Sequence, residues 1–199
     1  MTGLIILAAG SSSRLGQPKQ KLIYKGKSLL RHAIDEGLAS LCSVVVLVLG
    51  SDAVTNRREA EMCPDIHITI NQNWEDGMAS SIKAGISELL TIDPHISQAI
   101  IMLCDQPFVN ADILNKLIKE KMLSSKDISA CSYNNTIGTP VLFDRSFFPL
   151  LISLEGSQGA KSLVYENIDL VALVPFPFGN IDIDTIDDFE KLKRFDNTN

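Results

Sequence analysis

Cysteine and histidine are scarce in this sequence, and none of them is spaced to hold a metal. Cys42, Cys63, Cys104 and Cys131 lie far apart and form no CxxC pair, so neither a thioredoxin-like redox motif nor a zinc ribbon is expected. His32, His67 and His95 share no ligand spacing with a cysteine, which argues against zinc. Long apolar runs are missing too. Residues 4–9 are apolar but lack a basic flank, and the run is too short for a signal-peptide core or for the roughly 18 residues of a spanning helix. Two cysteines end apolar runs, where a free thiol behaves as a small hydrophobe; a reduced, cytoplasmic protein away from membranes is expected. Positive charge is also short, with 18 Lys and Arg against 24 Asp and Glu for a net charge of −6. Long nucleic acids call for a basic surface, so no nucleic-acid partner is expected. A small anionic ligand needs only a local pocket.

The 199 residues, 45% of them hydrophobic, suffice for one domain over 1–199 with a sizeable core. Apolar runs at 4–9, 44–49, 66–70, 99–104, 128–132 and 170–174 read as strands. Helix-period segments alternate with them, the pattern of an α/β fold with a largely parallel sheet. Leu29, Leu30, Ala33, Ile34, Leu38 and Leu41 fall on one helical face. Segments 80–90, 111–122 and 185–195 behave alike. After about Ser132 the rhythm breaks, with an extra strand at 138–143 and short helices at 146–154 and 160–167. Residues 197–199 read as an unstructured tail.

Directly after the first strand comes Leu7-Ala8-Ala9-Gly10-Ser11-Ser12-Ser13-Arg14-Leu15-Gly16-Gln17-Pro18-Lys19. Small residues at Ala8, Ala9 and Gly10 admit a phosphate close to the backbone. Consecutive N–H groups in such a turn form an anion-binding nest, and Ser11 to Ser13 add hydroxyl donors. Arg14 and Lys19 bring two positive charges to the same loop. Five residues separate Gly10 from Gly16, and Gln17 follows, so this is neither a P-loop nor the GxGxxG dinucleotide fingerprint. An ordinary strand-to-helix turn would not need this concentration of glycine, serine and base.

Carboxylates recur at two places. Residues 100–104 lead into Asp105 at the carboxyl end of a buried strand, where open α/β sheets bind ligands. Mg²⁺ takes one or two protein carboxylates and completes its shell with phosphate and water, and Asp105 can also be read as a cap for a helix starting near Asn110. Asp182-Ile183-Asp184-Thr185-Ile186-Asp187-Asp188 follows what reads as a short strand. Capping of the last helix by Asp184 or Thr185, and dipole pairing by Asp187 and Asp188, account for much of that run, but not for Asp182. In residues 71–82, Gly77, Ser80 and Ser81 can open a helix with its N–H groups toward an anion. Trp74, the only tryptophan, reads as a packing residue, and no GxSxG elbow makes either serine a nucleophile.

The stretch LAAGSSSRLGQPK resembles the signature LAAGxSxRMGxxK of the MobA-like nucleotidyltransferases, with Leu15 in place of Met. CDQP resembles the metal-aspartate motif of the molybdenum cofactor cytidylyltransferase branch, and DIDTIDD its DIDTPED motif. NWEDGMASSI resembles NxxWxxGMxxSL, GTPVLF resembles G-[HN]-P-V-L-F, and EGSQGAK resembles GDxGA[RK]. These motifs keep the family's order from residue 4 to 190. The resemblance implies a three-layer, Rossmann-like fold with a mostly parallel mixed sheet, a nucleotide half over 1–110 and an acceptor-side half over 111–199. It implies a nucleotide site of Leu7, Ala8, Ala9, Gly10, Ser11, Ser12, Ser13, Arg14, Lys19, Asn73, Gly77, Ser80 and Ser81. Arg14, Lys19 and Asp105 would be catalytic, and Mg²⁺ would sit on Asp105 and Asp184, with Asp182 beside them. Trp74, Gly138, Thr139, Pro140 and Lys161 would face the acceptor. The implied reaction passes CMP from CTP to molybdopterin-type molybdenum cofactor, with a molybdoenzyme receiving the product. Thr139 and Ser157 depart from the pattern where the acceptor is expected. Two other readings stay open: transfer to a sugar or polyol phosphate, and a non-catalytic cofactor carrier or maturation chaperone.

Overall fold

Alternate residues of the first strand, β1 (Thr2–Ala8), face opposite walls of a sheet buried on both sides. Leu4, Ile6 and Ala8 enter one apolar cluster, while Ile5 and Leu7 enter another. That is the burial a strand acquires when helices cover both faces of a parallel sheet. The structure, a computed structural model, describes residues 1–12 and 15–196.

After β1 the chain forms a small hairpin, β2 (Ile23–Tyr24) and β3 (Lys27–Ser28), then α1 (Leu29–Leu38) and β4 (Val44–Leu49). Next come α2 (Ala53–Ala60), β5 (His67–Ile70), α3 (Met78–Ile92), β6 (Gln98–Leu103) and α4 (Ala111–Ser124). The last third holds β7 (Ile128–Tyr133), β8 (Thr136–Asp144), α5 (Phe148–Ser153), α6 (Ala160–Glu166), β9 (Val171–Pro175) and α7 (Ile186–Asp196). Seven strands form one sheet in the order β5-β4-β1-β6-β8-β7-β9. Only β8 runs against its neighbours, pairing antiparallel with both β6 and β7. Helices α1 and α4 cover one face, and α3, α5 and α6 the other. The expected three-layer α/β fold with a mostly parallel mixed sheet is therefore what forms, and among the described residues no helix is long and apolar enough to cross a membrane.

A third cluster lies off the sheet. Leu22, Tyr24 and Leu29 around the hairpin pack against Ile183, Phe189 and Leu192 at the chain's end. This contact carries the acidic run 182–188 back toward the loop after β1. Residues 176–185 form turns and irregular backbone, so the short strand expected before Asp182 is absent. Helix α1 also stops earlier than its pattern suggested. Ala39 N–H closes onto the Asp35 carbonyl at the C-cap, and Leu41, beyond it, is exposed. The hairpin and α2 escape the hydrophobic pattern for a simple reason. Helix α2 buries only Asn56 and Ala60 and leaves Val54 in solvent.

Candidate active site

The pocket opens where β1 and β6 end side by side. The Cys104 N–H donates to the Leu7 carbonyl at 3.2 Å, so the chain leaving β6 stays against the chain leaving β1. Beyond Ala8 the loop is shaped by Gln20, a buried amide whose Nε2 donates to the carbonyls of Ala8 (3.1 Å) and Gly10 (3.2 Å). Ser51 N–H donates to the intervening Ala9 carbonyl at 3.0 Å. Three successive carbonyl-bearing residues are thus held by donors on the protein side. At Gly10 an added Cβ would meet open space, which is the room a phosphate needs. Ser12 takes a left-handed backbone (φ 54°), and its Oγ accepts the Lys19 N–H at 3.0 Å. That hydrogen bond fixes the root of the lysine. Ser13 and Arg14 lie outside the described residues.

The Lys19 ammonium reaches across the pocket floor to Asp105 Oδ2 and stands 3.4 Å from Asp184 Oδ1. Burial works against this charge, but the Asp105 charge and hydrogen bond, helped by Asp184, raise the Lys19 pKa on balance. Asp105 is 8% exposed, and its Oδ1 is buried with no hydrogen bond. The Asp105 carbonyl accepts the Ile183 N–H at 3.0 Å, which sets Asp182 and Asp184 on either side of that contact. Asp182 is exposed along one edge, yet partial burial, then Asp105 and Asp184, push its pKa up to about 6 against the opposing Gln106 hydrogen bond and Lys19 charge. Gln106 in turn donates to the Gly179 carbonyl at 3.0 Å.

Capping does not account for these carboxylates. Asn110 Oδ1 accepts the Ile113 N–H at 3.0 Å and caps α4, so Asp105 is not that cap. Thr185 and Asp188 form a reciprocal capping box on α7: Thr185 N–H donates to Asp188 Oδ2, and Asp188 N–H to Thr185 Oγ1. Asp187 and Asp188 lie in its first turn. Asp105, Asp182 and Asp184 remain without a structural task of this kind. Among the described residues no group of three or more His, Cys, Asp or Glu is arranged to hold a metal. Two carboxylates suffice for a hard cation that takes its other ligands from phosphate and water. The buried Asp105 Oδ1 has no hydrogen-bond partner and so offers a carboxylate oxygen to a cation; the residues fit such an ion.

Trp74, Glu75, Gly77, Met78 and Ser81 form the facing wall of the pocket, about 370 Å³ in volume. Buried Asn71 organises that wall, donating to Ser80 Oγ (2.7 Å) and Ser81 Oγ (3.0 Å). Ser80 Oγ donates toward the Asn73 and Gly77 carbonyls, so its hydroxyl builds the loop, and Asn73 itself is exposed. A Cβ added at Gly50 would stand 2.6 Å from the Trp74 Cβ and 2.8 Å from the Ala9 Cβ, so the backbone carrying Trp74 lies close against the turn after β4. Gly77 adopts φ +103°, and an added Cβ would stand 2.3 Å from the Gly156 carbonyl oxygen. That oxygen accepts the Ala79 N–H at 3.2 Å, joining the start of α3 to the turn before α6.

The four expected acceptor residues of the later half stand apart from this floor. Thr139 and Pro140 form a bulge in β8, between the Cys131–Gly138 and Ala130–Val141 pairs. A bulge re-aims side chains, and proline there costs no ladder bond. Because β8 is antiparallel to β6 with Val141 opposite Ile101, the bulge lies at the pocket end of the sheet. Gly138 leaves space for the Tyr133 hydroxyl, which an added Cβ would approach to 2.1 Å. Lys161 donates to Thr136 Oγ1 at 3.2 Å, at the exposed start of β8. Gln20 and Asn71 were missed in the sequence because a single buried amide leaves no periodic trace; only the concentration of small residues around each hinted at a tightly folded loop.

The chain is similar over nearly its whole length to proteins with different names. Nicotine blue oxidoreductase of Paenarthrobacter nicotinovorans is 30% identical over 94% of this chain and 94% of its own length. Molybdenum cofactor cytidylyltransferase of Escherichia coli (strain K12) is 25% identical over 96% of this chain and 94% of its own. Rv0371c from Mycobacterium tuberculosis H37Rv superposes with a TM-score of 0.82 at 28% identity, covering 97% of each chain. Its complex with manganese gives 0.78 at 26% identity over 96% of this chain and 97% of that one. The model of the MobA-like NTP transferase domain matches residues 4–171, from β1 through the start of β9. With the glycine-rich loop at the end of β1 and Asp105 at the end of β6, the chain belongs to the MobA-like NTP transferase family.

Proposed function

We propose that this protein is a Mg²⁺-dependent cytidylyltransferase, moving CMP from CTP onto the phosphate of a molybdopterin-type molybdenum cofactor and releasing pyrophosphate. One observation carries the reading: an ammonium from the glycine-rich loop meets two carboxylates, Asp105 and Asp184, at the floor of a pocket of about 370 Å³. Phosphoryl and nucleotidyl transfers need positioning and charge neutralisation more than covalent help.

The backbone from Leu7 to Ser13 would hold the triphosphate, with Arg14 and Lys19 balancing its β- and γ-charges. Asn73, Gly77, Ser80 and Ser81 would shape the nucleotide's wall. Asp105 and Asp184, with Asp182 beside them, would hold Mg²⁺, which supplies charge stabilisation when bound. An acceptor phosphate oxygen attacks the α-phosphorus in line, the bond to the β-phosphate oxygen breaks, and pyrophosphate leaves. An ionised phosphate needs no general base, so no histidine is required. Trp74, Gly138, Thr139, Pro140 and Lys161 would receive the acceptor, making residues 1–110 the nucleotide half and 111–199 the acceptor half. Support comes from the motif matches, from the named activity of the Escherichia coli relative and from the manganese held by the mycobacterial one. A redox reading is favoured only by the name of the Paenarthrobacter relative; it requires turnover of a reducible aromatic substrate by a reductant without NTP.

The test is a pyrophosphate-release assay crossing CTP, GTP and UTP with molybdopterin, a sugar phosphate and no acceptor, in Mg²⁺. CTP with molybdopterin should give the fastest release. Faster release with GTP would overturn the base assignment, and release with the sugar phosphate alone would overturn the acceptor. Binding of molybdopterin with no release from any NTP would leave a carrier, not an enzyme.

A further inference from the structure

Lys19 is placed in an unusual way for a residue whose partner is a phosphate. Its backbone N–H is held by Ser12 Oγ, and its side chain is mostly covered, 16% exposed. The ammonium lies against Asp105 and 3.4 Å from Asp184. It therefore occupies the ground between the two carboxylates that would hold a divalent cation. Asp105 is itself more than nine-tenths buried, with Oδ1 lacking any hydrogen bond, so the lysine satisfies only one of its oxygens. An ammonium and a metal ion cannot share the same carboxylate oxygens at close range, since like charges repel there with little water between them. A triphosphate entering the Gly10 loop offers the ammonium a denser negative charge within reach of the same stem.

We propose that Lys19 is a built-in counter-ion that keeps free divalent cations off Asp105 and Asp184 until a nucleoside triphosphate draws its ammonium away. The triphosphate part of this rests on the function proposed above; the competition between lysine and cation does not. Nucleotide and cation then bind cooperatively, and each tightens the other by the same factor. Loading of the site with metal alone is suppressed.

Mn²⁺ titrations followed by electron paramagnetic resonance on the full chain test this without turnover. With no nucleotide present, Lys19→Met should bind Mn²⁺ roughly tenfold or more tighter than the unchanged protein, within the usual range of coupling between linked sites. Lys19→Gln should do the same, and serves if the methionine variant fails to fold by circular dichroism. Adding α,β-methylene-CTP should tighten Mn²⁺ binding more in the unchanged protein than in either variant. Adding Asp105→Asn to Lys19→Met should remove the gain. Folded variants that bind Mn²⁺ no tighter than the unchanged protein would overturn the proposal, as would a gain that survives Asp105→Asn. A gain in Mn²⁺ affinity with no pyrophosphate from any NTP would leave the counter-ion standing and remove the transferase. Pyrophosphate release with no gain would do the reverse.

Discussion

Lys19, Asp105 and Asp184 come from three distant stretches of chain and meet at one ammonium. Gly138, Thr139, Pro140 and Lys161 come from two neighbouring stretches, and they meet one another's surroundings rather than the pocket floor. Lys161 bonds to Thr136, and Gly138 makes room for Tyr133. The difference lies in what fixes each set. On the proposed nucleotide side Gly10 and Asp105 stand two residues past the ends of β1 and β6, which parallel pairing sets side by side. Lys19 arrives through the loop after β1, and Asp184 through the Ile183 contact with the Asp105 carbonyl. On the proposed acceptor side the residues sit on a bulge and on the exposed face of α6, where a substitution shifts a side chain without disturbing the sheet. The first region is held by the fold and the second is free to vary on it, which agrees with the different names of the proteins this chain is similar to.

If that contrast is right, the sharpest loss follows from a change on the nucleotide side that leaves the fold alone. Asp105→Asn keeps the shape of the side chain and removes its charge. We expect kcat/KM for pyrophosphate release to fall by roughly 10²–10³-fold, the scale of losing one placed electrostatic group, with circular dichroism unchanged. Activity within a few-fold of the unchanged protein would sink the metal-carboxylate assignment and erase the contrast at its stronger end.

Gly77→Ala attacks the seam where the two regions touch. Its Cβ would press on the Gly156 carbonyl from a backbone at φ +103°, a conformation side chains rarely adopt. We expect about 1–3 kcal/mol of lost stability from the strain and the clash, read by urea denaturation. The Michaelis constants for nucleotide and acceptor should both rise. A rise in only one would show that the seam belongs to that region alone.

How much of this was legible in the sequence follows the same division. Strands β1, β4 and β6 announce themselves as unbroken apolar runs because both faces are covered. The loop after β1 and the strand-end Asp105 were readable because chemistry requires small residues and charge at fixed offsets from those runs. Gln20 and Asn71 were not readable: each satisfies backbone or hydroxyl groups of one particular loop, and that geometry exists only after folding. Nor could spacing alone bring Asp184 to Lys19. The link is the packing of Leu22, Tyr24 and Leu29 on Ile183, Phe189 and Leu192, a contact between the two ends of the domain. The bulge at Thr139 and Pro140 likewise depends on a register shift in β7.

Lys161→Met tests the weaker side. The residue is exposed, so stability should change by less than about 0.5 kcal/mol. The acceptor KM should rise several-fold while kcat and the KM for nucleotide hold. An effect on nucleotide KM would break the division between the halves.

Asp182 also feels both regions, and it gives the smallest expected effect. On one side Asp105 and Asp184 raise its pKa, and Lys19 opposes them. On the other, its charge contributes, after burial, to holding the Tyr133 phenol up at about 12, beside Gly138. In the folded chain Asp182 keeps its proton to about pH 6, against 3.8 as its ordinary value. Below that lower value both folded and unfolded chains are protonated, and the raised pKa contributes its full stabilisation there. Between the two values the unfolded chain ionises first, so the contribution declines and is gone once the pH has passed about 6. Asp182→Asn takes this titration away. In metal-free buffer, the melting temperature of the variant relative to the unchanged protein should therefore climb between pH 4 and 6 and level off above it. Solvent at the exposed edge of the side chain should hold the whole change to under about 1 kcal/mol. A flat difference across that range would mean that Asp182 does not share the field of Asp105 and Asp184, and the two regions would then meet only at Gly77.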